Sequence, residues 1–105
     1  MRRGEVYRFR VPKGVGHEQH GERYGVIVQA DELLPRSVVL VAPTSLSARP
    51  ASFRPTVPIA GHNTHVLVEQ LGAVDVQRLG KRIRQLDADE MWAVHEALTT
   101  VLGLS

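Results

Sequence analysis

Tyr24-Gly25-Val26-Ile27-Val28-Gln29 is the stretch whose reading decides the fold. Three consecutive β-branched residues lose side-chain freedom in a helix and fit the pleated surface of a sheet, so the run predicts a buried strand over 24–29. It lies in the second half of a longer segment, residues 16–31. The first half of that segment, Gly16-His17-Glu18-Gln19-His20-Gly21-Glu22-Arg23, is polar and punctuated by glycine. A loop crowded with ionisable groups and held by a core strand is a common way to build a reactive site.

Toward the N-terminus, residues 6–11 alternate, with Tyr7, Phe9 and Val11 on one face and Arg8 and Arg10 on the other. That is the pattern of a half-buried strand, ended by Pro12-Lys13-Gly14. Toward the C-terminus, a turn over 31–35 precedes Ser37-Val38-Val39-Leu40-Val41-Ala42, a second apolar run. Its length and branching predict a buried strand bounded by Pro43, with Thr44 and Ser45 just past its end. Residues 46–55 read as a basic loop carrying Arg49, Phe53 and Arg54. Thr56-Val57-Pro58-Ile59 reads as a short edge strand, because Pro58 has no N–H to give a ladder. A turn over 61–64, a strand over 65–71 ending in Glu69-Gln70, a helical turn over 75–79 and a strand over 80–85 complete the β part.

The clearest helix is the last element. Asp87 and Glu90 have capping-box spacing, Met91, Val94, Leu98, Val101 and Leu102 recur at helical intervals, and Gly103 suits the position after the last turn. Five or six short strands followed by one helix predict a mainly β fold with α: a small, twisted antiparallel barrel with a helix packed against it.

With 105 residues the chain is expected to form a single domain over 1–105 with one core. It contains no cysteine, which excludes disulfides and thiolate chemistry. No apolar run approaches the roughly 20 residues needed to cross a bilayer, and the N-terminus has no signal-peptide pattern, so the expected location is cytoplasmic, away from any membrane. A net charge of +2 says little about partners. Eleven of the thirteen basic residues are arginines, whose planar fork suits phosphate contacts, although arginine-favouring codons would produce the same count.

No phosphate-binding glycine loop, nucleophile elbow or metalloprotease helix motif is present. His62 and His65 are three apart but have no third ligand near them in sequence, so no metal site and no cofactor is expected. His95 neighbours Trp92 in the helix. His17 and His20 flank Glu18 and share a loop with Arg23, and a histidine pair could run acid–base chemistry. Glu18, Arg23 and Thr44 supply a carboxylate, a guanidinium and a hydroxyl at strand edges. Metal-free RNA cleavage asks for groups of this kind: one to take a 2′-hydroxyl proton, one to stabilise the crowded phosphorane, one to hold a phosphate oxygen. A surface ion pair with a strand-capping threonine would use the same residues.

The series Arg3-Gly4-Glu5-Val6-Tyr7, Gly16-x-Glu18-Gln19-x-Gly21-x-Arg23 and Pro43-Thr44-Ser45 resembles, in order, the MazF/PemK (Kid) family of bacterial toxin endoribonucleases. Leu67-Val68-Glu69-Gln70-Leu71, Val74-Asp75, Arg78-Leu79-Gly80-Lys81-Arg82-Ile83, Leu86 and the closing helix are similar to that family's C-terminal block. The resemblance implies a homodimer of SH3-like barrels of the CcdB/PemK toxin fold. It also implies sequence-specific, metal-independent cleavage of single-stranded RNA, usually mRNA, leaving 2′,3′-cyclic phosphate and 5′-hydroxyl ends. Arg23 matches the family's catalytic arginine, Thr44 its motif threonine, and Glu18 a glutamate that part of the family carries. Glu69 matches an acidic position used catalytically in the Kid branch, a second candidate base beside His17 and His20. Gln19, Tyr24, Ser45, Arg49, Phe53 and Gln70 are the candidate RNA contacts. The implied partner is a cognate MazE-like antitoxin with an acidic tail.

Two departures stand out. The family's Arg-Pro is Arg23-Tyr24 here, which adds a ring that could stack on substrate or pack in the core. Its Ile-Arg-Thr is Leu71-Gly72-Ala73, which removes a cation and a hydroxyl. A rival reading on the same fold is a non-catalytic poison resembling the gyrase-directed CcdB toxins, which depend on a tryptophan close to the C-terminus. Trp92, early in the helix, argues against it. A third reading is an inactive RNA-binding barrel, against which Arg23 and Thr44 count.

Overall fold

The computed structural model describes residues 1–10 and 23–104. Among these residues the strands are β1 (Glu5–Phe9), β2 (Arg23–Ile27), β3 (Val38–Ser45), β4 (Thr56–Ile59), β5 (His62–Val66), β6 (Gly72–Asp75) and β7 (Leu79–Gln85). The helix α1 (Ala88–Leu102) follows. Every strand pairing is antiparallel, in the order β4-β5-β3-β2-β1-β7, with β6 also on β3. The strands curl into a half-barrel that α1 packs against.

The β-branched run is buried on both faces, as its composition predicts. Successive side chains of a strand point to opposite sides, so Val26 and Val28 enter a core with Val6, Ala42, Val57, Val66, Val94 and Ala97. Ile27 enters a second core with Val39, Val41 and Val74. β1 is divided in the same way: Val6 is fully buried in the first core, while Tyr7 and Phe9 pack on the second. Arg8 and Arg10 are exposed, and Val11 lies outside the described residues.

Three expectations need correction. β3 does not stop at Pro43 but runs on through Thr44 and Ser45. Its neighbour on one side changes there, from β6 along residues 38–41 to β5 at residues 44–45. A missing N–H is tolerated at such a switch, and the Pro43 carbonyl is satisfied by the Leu67 N–H at 2.8 Å. The strand expected over 65–71 is instead β5, which starts earlier because Ala60 and Gly61 take positive φ (52° and 83°) and make a tight hairpin turn. The chain then leaves the ladder in a 3-10 turn, Val68–Gln70, which carries Glu69. β6 was not expected, since Gly72 and Ala73 have little strand propensity. It forms because Val38–Val41 offers a backbone edge with Val39 and Val41 to cover.

The edge strand with Pro58, the turn near Asp75 (a 3-10 turn, Val76–Arg78) and the helix follow expectation. The capping box is complete: Glu90 N–H donates to Asp87 Oδ1 and Asp87 N–H to Glu90 Oε1, both at 2.8 Å. Gly103 closes the helix at φ 66°. Arg84 ties the N-terminal end of α1 down, bonding the Pro58 carbonyl at 2.8 Å and pairing with Glu90 in the first turn.

Glu5 is the buried charge of the frame. Its carboxylate accepts from the Arg2 N–H at 2.6 Å, the Tyr7 hydroxyl at 3.0 Å and Arg82 Nε. Burial alone would raise its pKa, but these donors together outweigh it and the net shift is downward. A carboxylate with a depressed folded pKa contributes stability that is fully present above its ordinary value of 4.5 and is lost as pH falls through the folded value. Unfolding free energy is therefore expected to drop on acidification below pH 4.5. Glu5→Gln is expected to be less stable at neutral pH and to show a shallower acid limb in denaturant titrations. An equally steep limb in the variant would show that Glu5 is not responsible.

Candidate active site

The site is built on the ends of β2 and β3. Arg23 opens β2, paired with Phe9 of β1. The β2–β3 ladder pairs Ile27 with Val41, Val26 with Ala42 and Gly25 with Pro43. One step further sets Thr44 beside Tyr24, and the Thr44 hydroxyl donates to the Tyr24 carbonyl at 3.0 Å. Close approach of these strands requires Gly25, where a Cβ would stand 2.5 Å from Val41 Cγ1.

Thr44 is 2% exposed. A carbonyl can only accept, so the hydroxyl proton is committed to Tyr24 and the remaining capacity of Thr44 is as an acceptor. Arg23 is half-buried, and its Nε is covered with no hydrogen-bond partner among the described residues. An unpaired buried donor is destabilising by about 1–3 kcal/mol, and native folds seldom keep one without use. Ser45 Oγ is committed differently. It accepts from the Ser47 and Ala48 N–H groups at 3.2 and 3.0 Å and so caps the start of the following loop.

On the other flank of β3, the Leu67–Pro43 hydrogen bond sets the Glu69 turn against the same strand end. Glu69 Oε2 accepts from Arg54 Nε at 2.8 Å and pairs with Nη2 at 2.6 Å. Its Oε1 is covered and unpaired among the described residues. Arg54 was counted in sequence only as one cation of a basic loop. No spacing signal links it to Glu69, fifteen residues on.

The other candidates divide. The Tyr24 and Phe53 rings pack at the edge of the first core, with the Arg54 guanidinium 5.5 Å from the Phe53 centroid. Arg49 and Gln70 are exposed. His65 Nδ1 lies 3.1 Å from Thr56 Oγ1, His62 is exposed, and His95 stacks on Trp92 at 5.1 Å. Among the described residues no group of three His, Asp or Glu could hold a metal. His17, Glu18, Gln19 and His20 lie outside the described residues.

This architecture has known relatives. Residues 2–102 match the model of the PemK-like, MazF-like toxin family of type II toxin–antitoxin systems. A Mycobacterium tuberculosis protein named as a candidate toxin is 41% identical over 104 residues, covering 97% of each chain. The endoribonuclease EndoA of Bacillus subtilis is 31% identical over 111 residues, covering 99% of this chain and 96% of that one. Among solved structures, an endoribonuclease from a mycobacterial species, in complex with its cognate antitoxin, shares the fold at a TM-score of 0.80. It is 20% identical, and the match covers 100% of this chain and 97% of that one. Two sequence relatives and a family match along nearly the whole length leave one conclusion: the chain belongs to the PemK-like, MazF-like family of type II toxin–antitoxin toxins.

Proposed function

We propose that this toxin is a sequence-specific, metal-independent endoribonuclease that cuts single-stranded RNA, mRNA in particular. The observation that carries the reading is Arg23 Nε, covered and without a partner among the described residues, at the start of β2 and one residue from Tyr24, whose carbonyl accepts from the Thr44 hydroxyl. A phosphate oxygen there would give that donor its partner. In the reaction a base removes the 2′-hydroxyl proton, the 2′-oxygen attacks phosphorus, and the 5′-oxygen leaves with a proton. Arg23 holds the charge that gathers on the phosphorane oxygens, and Thr44 orders the strand end. Glu18, Glu69, His17 and His20 remain the candidates for proton transfer. Gln19, Tyr24, Ser45, Arg49, Phe53 and Gln70 are the candidate contacts that choose the sequence; splayed-out bases stacked on rings are the usual way single strands are read.

The reading includes a cytoplasmic homodimer and a cognate MazE-like antitoxin as partner, supported by family membership and by the mycobacterial relative held with its antitoxin. No helix among the described residues is long and apolar enough to cross a membrane. The test is incubation with a long single-stranded RNA in excess EDTA. Discrete cuts are expected in RNA and none in DNA of the same sequence, which lacks the 2′-hydroxyl. No cutting by the folded protein would contradict the proposal.

A further inference from the structure

Residues 46–55 form the basic loop between β3 and β4, and the fold fastens it at three points. Ser45 Oγ caps its start through the Ser47 and Ala48 N–H groups. Arg54 Nη1 donates to the Arg49 carbonyl at 2.9 Å, drawing the middle toward the end. Arg54 Nε and Nη2 then hold Glu69 Oε2, joining the end of the loop to the 3-10 turn beside Pro43. All the bonding nitrogens of one guanidinium are thus used inside the protein. This pair is less solvated than an ordinary surface ion pair, since each side chain is only about a fifth exposed (22% and 23%).

We propose that the Arg54–Glu69 pair anchors the RNA-binding loop, so that affinity for RNA depends on an acidic side chain. The proposal rests on the endoribonuclease reading. Arg54 is a positioning residue acting through Glu69; the exposed Arg49 is the loop cation left for the substrate. The dependence runs opposite to simple electrostatics. Deleting a negative charge near a polyanion should tighten binding, whereas deleting this one releases the loop and weakens it.

The experiment measures affinity for a short RNA that spans a mapped cut and carries a 2′-deoxy scissile nucleotide, across a salt series. Wild type, Arg54→Ala, Arg54→Lys, Glu69→Ala and the double alanine variant are compared, each checked by thermal melting for a retained fold. Glu69→Ala and Arg54→Ala are each expected to weaken binding about tenfold, the scale of one charge-assisted contact. The double variant is expected to be no weaker than either single one. Arg54→Lys recovers part of the loss, since an ammonium keeps the charge but cannot reach Glu69 and the Arg49 carbonyl together. Glu69→Ala binding as tightly as wild type, or tighter, would overturn the proposal. So would losses that multiply in the double variant, or an Arg54→Ala salt slope shallower by about 0.7, the mark of a lost direct phosphate contact. If wild type cuts no RNA, the endoribonuclease reading falls and this proposal with it; if wild type cuts and Glu69→Ala binds normally, only this proposal falls.

Discussion

Arg23→Met is expected to lose RNA cleavage by about 10²–10³-fold in kcat while folding at least as stably as wild type. The two halves of that result share one cause. Arg23 Nε is a covered donor with no partner among the described residues, a burden of about 1–3 kcal/mol on the folded state. Methionine keeps an unbranched chain of similar length and removes the orphaned N–H, so unfolding free energy should stay level or rise. The same substitution removes the cation proposed to meet the phosphorane. Cleavage assays together with denaturant unfolding check both halves. Retained activity would move the chemistry to other residues of the polar loop; a large loss of stability would show that Arg23 is structural.

Gly25→Ala is expected to destabilise the fold by about 1–3 kcal/mol, the usual range for overpacking a core. In a domain of this size each kcal/mol lowers Tm by roughly 4–8 °C. The added Cβ would lie 2.5 Å from Val41 Cγ1. Val41 is 1% exposed and branched at Cβ, so it cannot swing aside into solvent. The strands must separate at the pair next to Tyr24 and Thr44, and cleavage should fall further than the unfolded fraction explains. Val41→Ala removes the offending methyl, so Gly25→Ala should be less damaging in that background. Equal damage in both backgrounds would refute the steric account.

What could be read in the sequence was whatever depended on local pattern. Val26-Ile27-Val28 announced a strand buried on both faces, and Asp87, Glu90 and Gly103 marked the ends of the helix through their own backbone chemistry. What could not be read depended on neighbours distant in sequence. Pro43 looked like a strand end, because nothing local shows that the neighbour of β3 changes there from β6 to β5. Gly72-Ala73 carries no strand signal, and β6 exists only because β3 supplies its edge. Glu69 was placed on a strand although it sits in a turn. For the candidate site, motif residues drew attention to Arg23 and Thr44, and the register of β2 on β3 sets them at one strand end. Arg54 had no motif to betray it, since its pairing with Glu69 arises only once the end of the loop meets the end of β5, where the Val66 N–H donates to the Pro55 carbonyl.

The proposed cleavage proceeds by attack of the RNA's own 2′-hydroxyl at the Arg23–Thr44 strand end. It is tested most directly by the chemistry of the cut ends. The protein is incubated in EDTA with an RNA whose cut position has been mapped, and both fragments are analysed by mass spectrometry. A 2′,3′-cyclic phosphate on the upstream fragment and a 5′-hydroxyl on the downstream one are the predicted products, absent when Arg23→Met replaces wild type. A 3′-hydroxyl with a 5′-phosphate, the signature of attack by water with the 3′-oxygen leaving, would contradict the account.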